Sequence, residues 1–543
     1  MILEGPPAPV AKALGAYYTD AGVARFLVRW ALRAPRETVA DPAFGGGVFL
    51  AAASERLAGM GGDPRAQVFG VELDEEAHRR TAAWLRARFD LPPAHLRQGD
   101  FFDLEPPGQV DAVVGNPPFI RYQRFPGLQK ALAKAGLRLS GRSSAWAPFL
   151  LRAVAWLRPG GRLAMVVPAE IAHAAYARPV LDHLSRSFEE IWLISFQKSL
   201  FPRLNQDTLL LLAEGRRPMP DGRAAAWLVD LPDPAGLEQL ALPTPKAVRV
   251  NLLALGGEAR LPLYWLSPEE RELYLRLAGP TALRLGQVAR VDIGYVTGHN
   301  RFFHLSPAEA AQQGIPQAFL RAALWRGRGL RGLRFTSADW QEAGQKGQAG
   351  FLLSIPPEAP LPPAVAAYLE AGQAAQVHRA YQCRRRQPWY SLCPGGGPEA
   401  FLVYMGEPRL VVNEARVLLS NSLYAVHPQG LGARALAALW QSSLTQLSVE
   451  LEGHALGGGM LKLEPREAER VVLPSTARNR WEEGRLEALA DGLDRLLRQG
   501  KTQEAQALAD SVILREGLGL SEEEVACLAR ARQKLRLRRC RRP

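Results

Sequence analysis

A chain of 543 residues with 47% apolar and 22% charged residues describes a soluble globular protein of two or three domains. No apolar run approaches the roughly 20 residues of a membrane span, and Met1-Ile2-Leu3-Glu4-Gly5-Pro6-Pro7 breaks up before any signal-peptide core begins, so a cytoplasmic protein is expected. Four scattered cysteines exclude a disulfide framework and a zinc cage, and a net charge of +13, carried mostly by arginine, points to a polyanionic partner.

From residue 21 to about 213 the pattern alternates helical periods with short apolar runs. Strands are predicted at 38–40, 68–72, 96–99, 110–114, 163–167, 191–195 and 208–213, with helices at 21–32, 75–88 and 149–157. This alternation predicts an α/β fold, a Rossmann-like, doubly wound, mostly parallel sheet whose ligands bind at the carboxyl ends of its strands. Residues 214–223 and 231–245 are rich in proline, glycine or arginine and read as a linker. Residues 262–475 lack the βα rhythm, and 481–515 and 521–535 read as helices before a basic tail that ends in Arg541-Arg542. The expected domains are 1–250, 251–475 and a helical C-terminal segment, 476–543.

The most informative motif closes the strand at 110–114: Asn116-Pro117-Pro118-Phe119. Two prolines fix φ and remove two donors, so the turn is stiff, the Asn116 amide is aimed and nearby carbonyls stay free. Such a turn can accept both hydrogens of an exocyclic amine, and the Phe119 ring can stack on a flat substrate. Upstream, Asp41-Pro42-Ala43-Phe44-Gly45-Gly46-Gly47 forms a glycine-rich strand-to-helix turn that allows close backbone approach to a ligand. The second strand ends in Glu72-Leu73-Asp74, an acidic device for a ribose, and Asp100-Phe101 follows the third, where the acid can accept from an adenine amine. Each motif alone also has a purely structural reading; their order makes a nucleoside pocket.

In that order these motifs resemble S-adenosylmethionine-dependent amino-methyltransferases, in particular adenine-N6 DNA methyltransferases. Leu14-Gly15-Ala16-Tyr17-Tyr18-Thr19-Asp20 is similar to the segment that closes over the methionine part of the cofactor, and its place first in the chain resembles the γ group, which includes TaqI-type modification enzymes. The resemblance covers 1–215 well and the remainder more loosely. It implies a class I methyltransferase domain, S-adenosyl-L-methionine as cofactor and a C-terminal α+β DNA-recognition domain. It also implies that Tyr18, Thr19, Asp41, Ala43, Gly45, Glu72, Leu73, Asp100, Phe101 and Asn116 line the cofactor pocket. Asn116 and the Pro117 carbonyl would then hold the target amine in the turn Asn116-Pro117-Pro118-Phe119, and Phe119 and Phe201 would cover the two faces of a flipped base. The implied reaction needs no metal.

The C-terminal half contains two arginine-rich stretches with aromatics, around Arg326 and Arg328 and around Arg384, Arg385 and Arg386, which suit phosphate and groove contacts with double-stranded DNA. The expected protein is a monomer, served by a separate restriction endonuclease where one exists. The nearest alternative is an rRNA or protein-glutamine methyltransferase, since both also use Asn-Pro-Pro-aromatic turns; the large basic C-terminal region disfavours it.

Overall fold

Nine strands form the sheet of the first unit: β1 (Val39–Asp41), β2 (Val68–Glu72), β3 (Leu96–Gln98), β4 (Val110–Gly115), β5 (Leu157–Pro168), β6 (Glu190–Phe196), β7 (Thr208–Glu214), β8 (Ala225–Leu231) and β9 (Val248–Arg249). Their order is β3-β2-β1-β4-β5-β7-β6-β8-β9. Strands β1 to β5 are mutually parallel, β7 runs antiparallel to both β5 and β6, and β8 returns parallel to β6. The computed structural model describes residues 19–540 except 107, 121–127, 135–142, 173–174, 199, 202–207, 220–221, 256–259, 457–458 and 475–482.

The central strands alternate between two apolar clusters, as a sheet covered on both faces requires. Val113, Leu163, Met165, Leu209 and Leu211 face the cluster built with α6 (Trp146–Ala155) and α7 (Arg178–Ser187). Val114, Ala164, Val166, Leu210 and Leu212 face the opposite cluster, with α1 (Ala21–Ala31), α2 (Val48–Gly59) and α4 (Glu75–Phe89); α3 (Pro64–Gln67) and α5 (Leu128–Lys134) are short. Asp20 caps α1 through the Gly22 amide, and Asp74 caps α4 through the Ala77 amide.

Between the two stretches read as linker, 214–223 and 231–245, lies β8, and β9 follows the second, so the sheet continues where the first domain was expected to give way. Ala225–Leu231 pairs with β6 over its whole length, and its apolar run is the strand signal that the flanking prolines obscured. The chain divides between Trp265 and Leu266 into two compact units.

The second unit, described by itself, contains a five-stranded sheet and a four-stranded sheet, each mixed. The helices Ala433–Trp440, Ser443–Glu452, Glu483–Arg498 and Glu522–Cys540 pack within this unit rather than trailing from it. A single helix over 481–515 is not formed: Gly500, at φ +76, separates Glu483–Arg498 from Thr502–Ala509. The basic tail is likewise corrected up to Cys540, because Arg539 is buried against Glu450 at 2.9 Å and Arg536 pairs with Glu407. Residues 541–543 lie outside the described residues. Among the described residues no helix is long and apolar enough to cross a membrane.

Candidate active site

The strand order reverses between β1 and β4, which makes the crevice beyond their carboxyl ends the topological switch point of the sheet. Because β3, β2, β1 and β4 are parallel neighbours, the residues that end them fall on one edge. Asp41 ends β1, Glu72 ends β2, Asp100 lies two residues past β3 and Asn116 one residue past β4. Four motifs scattered over the sequence thus converge because each is tied to a strand terminus.

Asp41 is 1% exposed. Its Oδ1 accepts from the Ala43 amide at 3.1 Å, and its Oδ2 is buried without a hydrogen-bond partner among the described residues. Burial, reinforced by the nearby Glu72 carboxylate, pushes the carboxyl up to about 8. A Cβ on Gly115 would sit 2.9 Å from Asp41 Oδ1, so β4 approaches this carboxylate as closely as it does only because residue 115 is glycine.

Glu72 organises the glycine turn. Its Oε2 accepts from the Gly45 amide and its Oε1 from the Asp74 amide, both at 2.8 Å, while Thr81 Oγ1 donates to the Gly45 carbonyl at 2.7 Å. Gly45 and Gly47 have φ of +47° and +75°, a left-handed path that leads directly into α2. Leu73 is 59% exposed beside this turn. Asp100 accepts from the Phe102 amide at 3.0 Å and faces Lys130 at 3.3 Å.

Asn116 donates from Nδ2 to Thr19 Oγ1 at 3.2 Å, joining the Asn-Pro-Pro-Phe turn to the second residue before the first helix. Phe119 is half-buried and packs against both apolar clusters of the sheet. The Ile120 carbonyl then accepts from the Ala145 amide at 2.9 Å, which ties the exit of the turn to the start of α6.

Several expected roles are corrected. Phe101 is 3% exposed and packs on Phe149 and Trp156, with centroids at 4.6 and 4.8 Å, so its ring is core. Phe201, only 9% exposed, is seated in an apolar cluster instead of standing free to cover a base. Arg386 is consumed internally: it donates to the Thr297 carbonyl at 2.8 Å and to the Val296 carbonyl, and it lies over the Phe303 ring. Arg326, Arg328, Arg384 and Arg385 are exposed, Arg385 lying over Tyr381. Tyr18 lies outside the described residues. Sequence reasoning missed Gly115 and Thr81; the glycine directly before Asn116 was the only local signal for either.

A buried carboxyl with an unfilled oxygen, two further acids along the same edge and an exposed Leu73 fit a ligand that carries an ammonium group, ribose hydroxyls and a flat apolar ring. Seven strands in the order β3-β2-β1-β4-β5-β7-β6, with β7 reversed and that edge at their carboxyl ends, make the first unit a class I S-adenosylmethionine-dependent methyltransferase. S-adenosylmethionine is its methyl donor.

Residues 3–176 match the N-6 DNA Methylase family model, and residues 260–514 match the C-terminal domain of the Type II methyltransferase M.Eco57I. The first region is thus that of an N-6 DNA methylase, and the chain is similar over most of its length to methyltransferases of the Type II restriction–modification group. It is 19% identical to the Type II methyltransferase M.AccI of Acinetobacter calcoaceticus, with 85% of each chain covered. To M.PaeR7I of Pseudomonas aeruginosa it is 23% identical, covering 86% of this chain and 87% of that one. The solved structure of the Type IIL restriction-modification enzyme MmeI in complex with DNA shares the fold at 12% identity and a TM-score of 0.56, over 97% of this chain and 80% of that one. The C-terminal match sets the chain apart from the rRNA and protein-glutamine alternative.

Proposed function

We propose that the chain methylates N6 of an adenine within a specific sequence of duplex DNA, as the modification half of a restriction–modification pair. The observation that carries this reading is the placement of Asn116, on a Pro-Pro turn at the end of β4, directly across the switch point from buried Asp41 at the end of β1.

The bound cofactor supplies an electrophilic methyl group on a sulfonium. Asp41 takes the ammonium group of that ligand, Glu72 its ribose hydroxyls and Asp100 its adenine amine, with Thr19, Ala43, Gly45 and Leu73 completing the wall. Asn116 Oδ1 and the Pro117 carbonyl accept the two hydrogens of the target amine. Drawing on those N–H bonds raises electron density on nitrogen, and Phe119 holds the base plane by stacking. The proton leaves once the nitrogen is cationic, so positioning and electrostatics suffice without a strong general base. Because the amine of a paired adenine is enclosed in the duplex, the base must leave the stack, at a cost of a few kcal/mol offset inside the pocket.

Duplex recognition is assigned to the second unit, on the basis of where its free cations lie. Arg321, Arg326, Arg328, Arg379 and Arg384 are exposed and make no ion pair among the described residues. Further along, Arg434, Arg470, Arg498, Arg536 and Arg539 are each matched to an acid. Exposed guanidinium groups of this kind are suited to phosphate and to guanine edges. The chain is taken to act as a cytoplasmic monomer whose cognate endonuclease is a separate protein.

Transfer of tritium from labelled S-adenosylmethionine to duplex DNA tests the reading. Wild-type protein should label DNA, and Asn116→Ala should abolish labelling while leaving cofactor binding by calorimetry within a few-fold. Labelling of tRNA or protein in preference to DNA would overturn it.

A further inference from the structure

Beside the Asn-Pro-Pro-Phe turn lies a half-buried polar cluster that none of the roles above uses. Glu170 stands two residues past the end of β5, the strand next to β4, and so belongs to the same carboxyl edge. Its Oε1 accepts from Trp146 Nε1 at 2.7 Å and from the Tyr176 hydroxyl at 2.5 Å, and Trp146 Nε1 also lies 3.1 Å from that hydroxyl. Trp146 is fully buried at the start of α6. Burial and the Glu170 charge hold the Tyr176 phenol above its ordinary range, so it stays a donor, and Ser144 hydrogen-bonds to it. The neighbouring Ala145 amide is the group that binds the Ile120 carbonyl, one residue past Phe119.

One carboxylate oxygen therefore gathers two donors from separate segments, one of them next to Ala145, whose amide binds the Ile120 carbonyl. An Asn-Pro-Pro-Phe turn cannot hold itself through its own amides, because two of its residues lack N–H. Its exit must be fixed from outside. A partly buried charged acceptor with two donors is a strong fastening, since losing it leaves the fully buried Trp146 Nε1 without its carboxylate partner.

We propose that Glu170 is a positioning residue for methyl transfer: with Trp146 and Tyr176 it clamps the Ser144–Trp146 segment, and through Ala145 and Ile120 it fixes the turn that aims Asn116 and Phe119. The inference rests on the proposed role of that turn, and it predicts an effect on the backbone that does not depend on that role. Glu170 acts through hydrogen bonds accepted by one oxygen, so a glutamine, whose amide oxygen accepts the same two bonds, should replace it.

The test compares Glu170→Ala with Glu170→Gln by amide hydrogen exchange and by single-turnover methylation. Glu170→Ala should accelerate exchange at residues 143–147 and 119–120, lower the single-turnover rate by about tenfold or more, and leave the cofactor Kd within twofold. Glu170→Gln should stay within about threefold of wild type in both readouts. Tyr176→Phe, which removes one hydroxyl, should fall between them and serves if the alanine variant does not fold. Unchanged exchange in Glu170→Ala overturns the clamp; equal loss of rate in the alanine and glutamine variants, with exchange unchanged in the latter, also overturns it by making Glu170 a proton acceptor. Failure of the wild-type protein to methylate any DNA strikes the parent reading and leaves the exchange comparison to decide the clamp.

Discussion

Asn116 Nδ2 donates to Thr19 Oγ1 across 97 residues of sequence, and this bond turns the nitrogen of the Asn116 amide towards Thr19. With the nitrogen turned to Thr19, the oxygen lies on the other side of the amide, as the proposed acceptance of a substrate amine requires. Thr19→Val keeps the shape and removes the acceptor. The expected result is a fall in kcat of about tenfold or more, with the KM for DNA little changed; Thr19→Ser should restore most of the rate. Steady-state kinetics of the two variants check this.

Asp41 links stability to cofactor binding. Its folded value of about 8 lies far above the ordinary 3.8. A raised acid binds its proton more tightly in the folded state, so the penalty of burying its charge is absent below about pH 4, grows between pH 4 and 8, and is constant above pH 8. Asp41→Asn should therefore match wild type in urea unfolding at pH 4 and exceed it by on the order of 6 kcal/mol at pH 9. The same variant should bind S-adenosylmethionine at least tenfold more weakly, since an amide does not attract an ammonium. A stability gain that is equal at both pH values contradicts the assignment.

Gly115 and Asp41 are in near contact, with 2.9 Å left for a Cβ. Gly115→Ala must push the Asp41 carboxylate or spread β4 from β1. Overpacking of this kind costs about 1–3 kcal/mol, and a lowered Tm together with weakened cofactor binding is the expected result.

The arginines of the second unit divide into two kinds. Arg328 is exposed without an ion-pair partner among the described residues, whereas Arg386 secures the Val296 and Thr297 carbonyls. Arg328→Ala should leave the Tm unchanged and reduce the salt slope of DNA binding by about 1. Arg386→Ala should lower the Tm, because the carbonyl of buried Thr297 and that of Val296 lose a charged donor. Melting curves and binding titrations at several salt concentrations separate the two.

What could be read from the sequence was what strands carry to their own ends. Asp41, Glu72, Asp100 and Asn116 were each recognisable beside a short apolar run, and parallel strands bring such ends together without further information. The strand Val68–Glu72 has the predicted limits, and the other six predicted strands of the first unit formed around their predicted centres. The prolines around Ala225–Leu231 hid β8, because local turn chemistry competes with a strand signal that only pairing with β6 resolves. The core position of Phe101 depends on Phe149 and Trp156, and the structural use of Arg386 depends on carbonyls 89 and 90 residues earlier. The Glu170 cluster was invisible for the same reason: its donors arrive from 24 residues before and 6 after.

The most direct measurement of the central claim is the identity of the methylated nucleoside. Duplex DNA from a host expressing the protein, digested to nucleosides and analysed by mass spectrometry, should contain N6-methyldeoxyadenosine at one recurring sequence, and the modification should vanish with Asn116→Ala. Methyl groups found on cytosine, or no methylated adenine in any sequence context, would contradict the account.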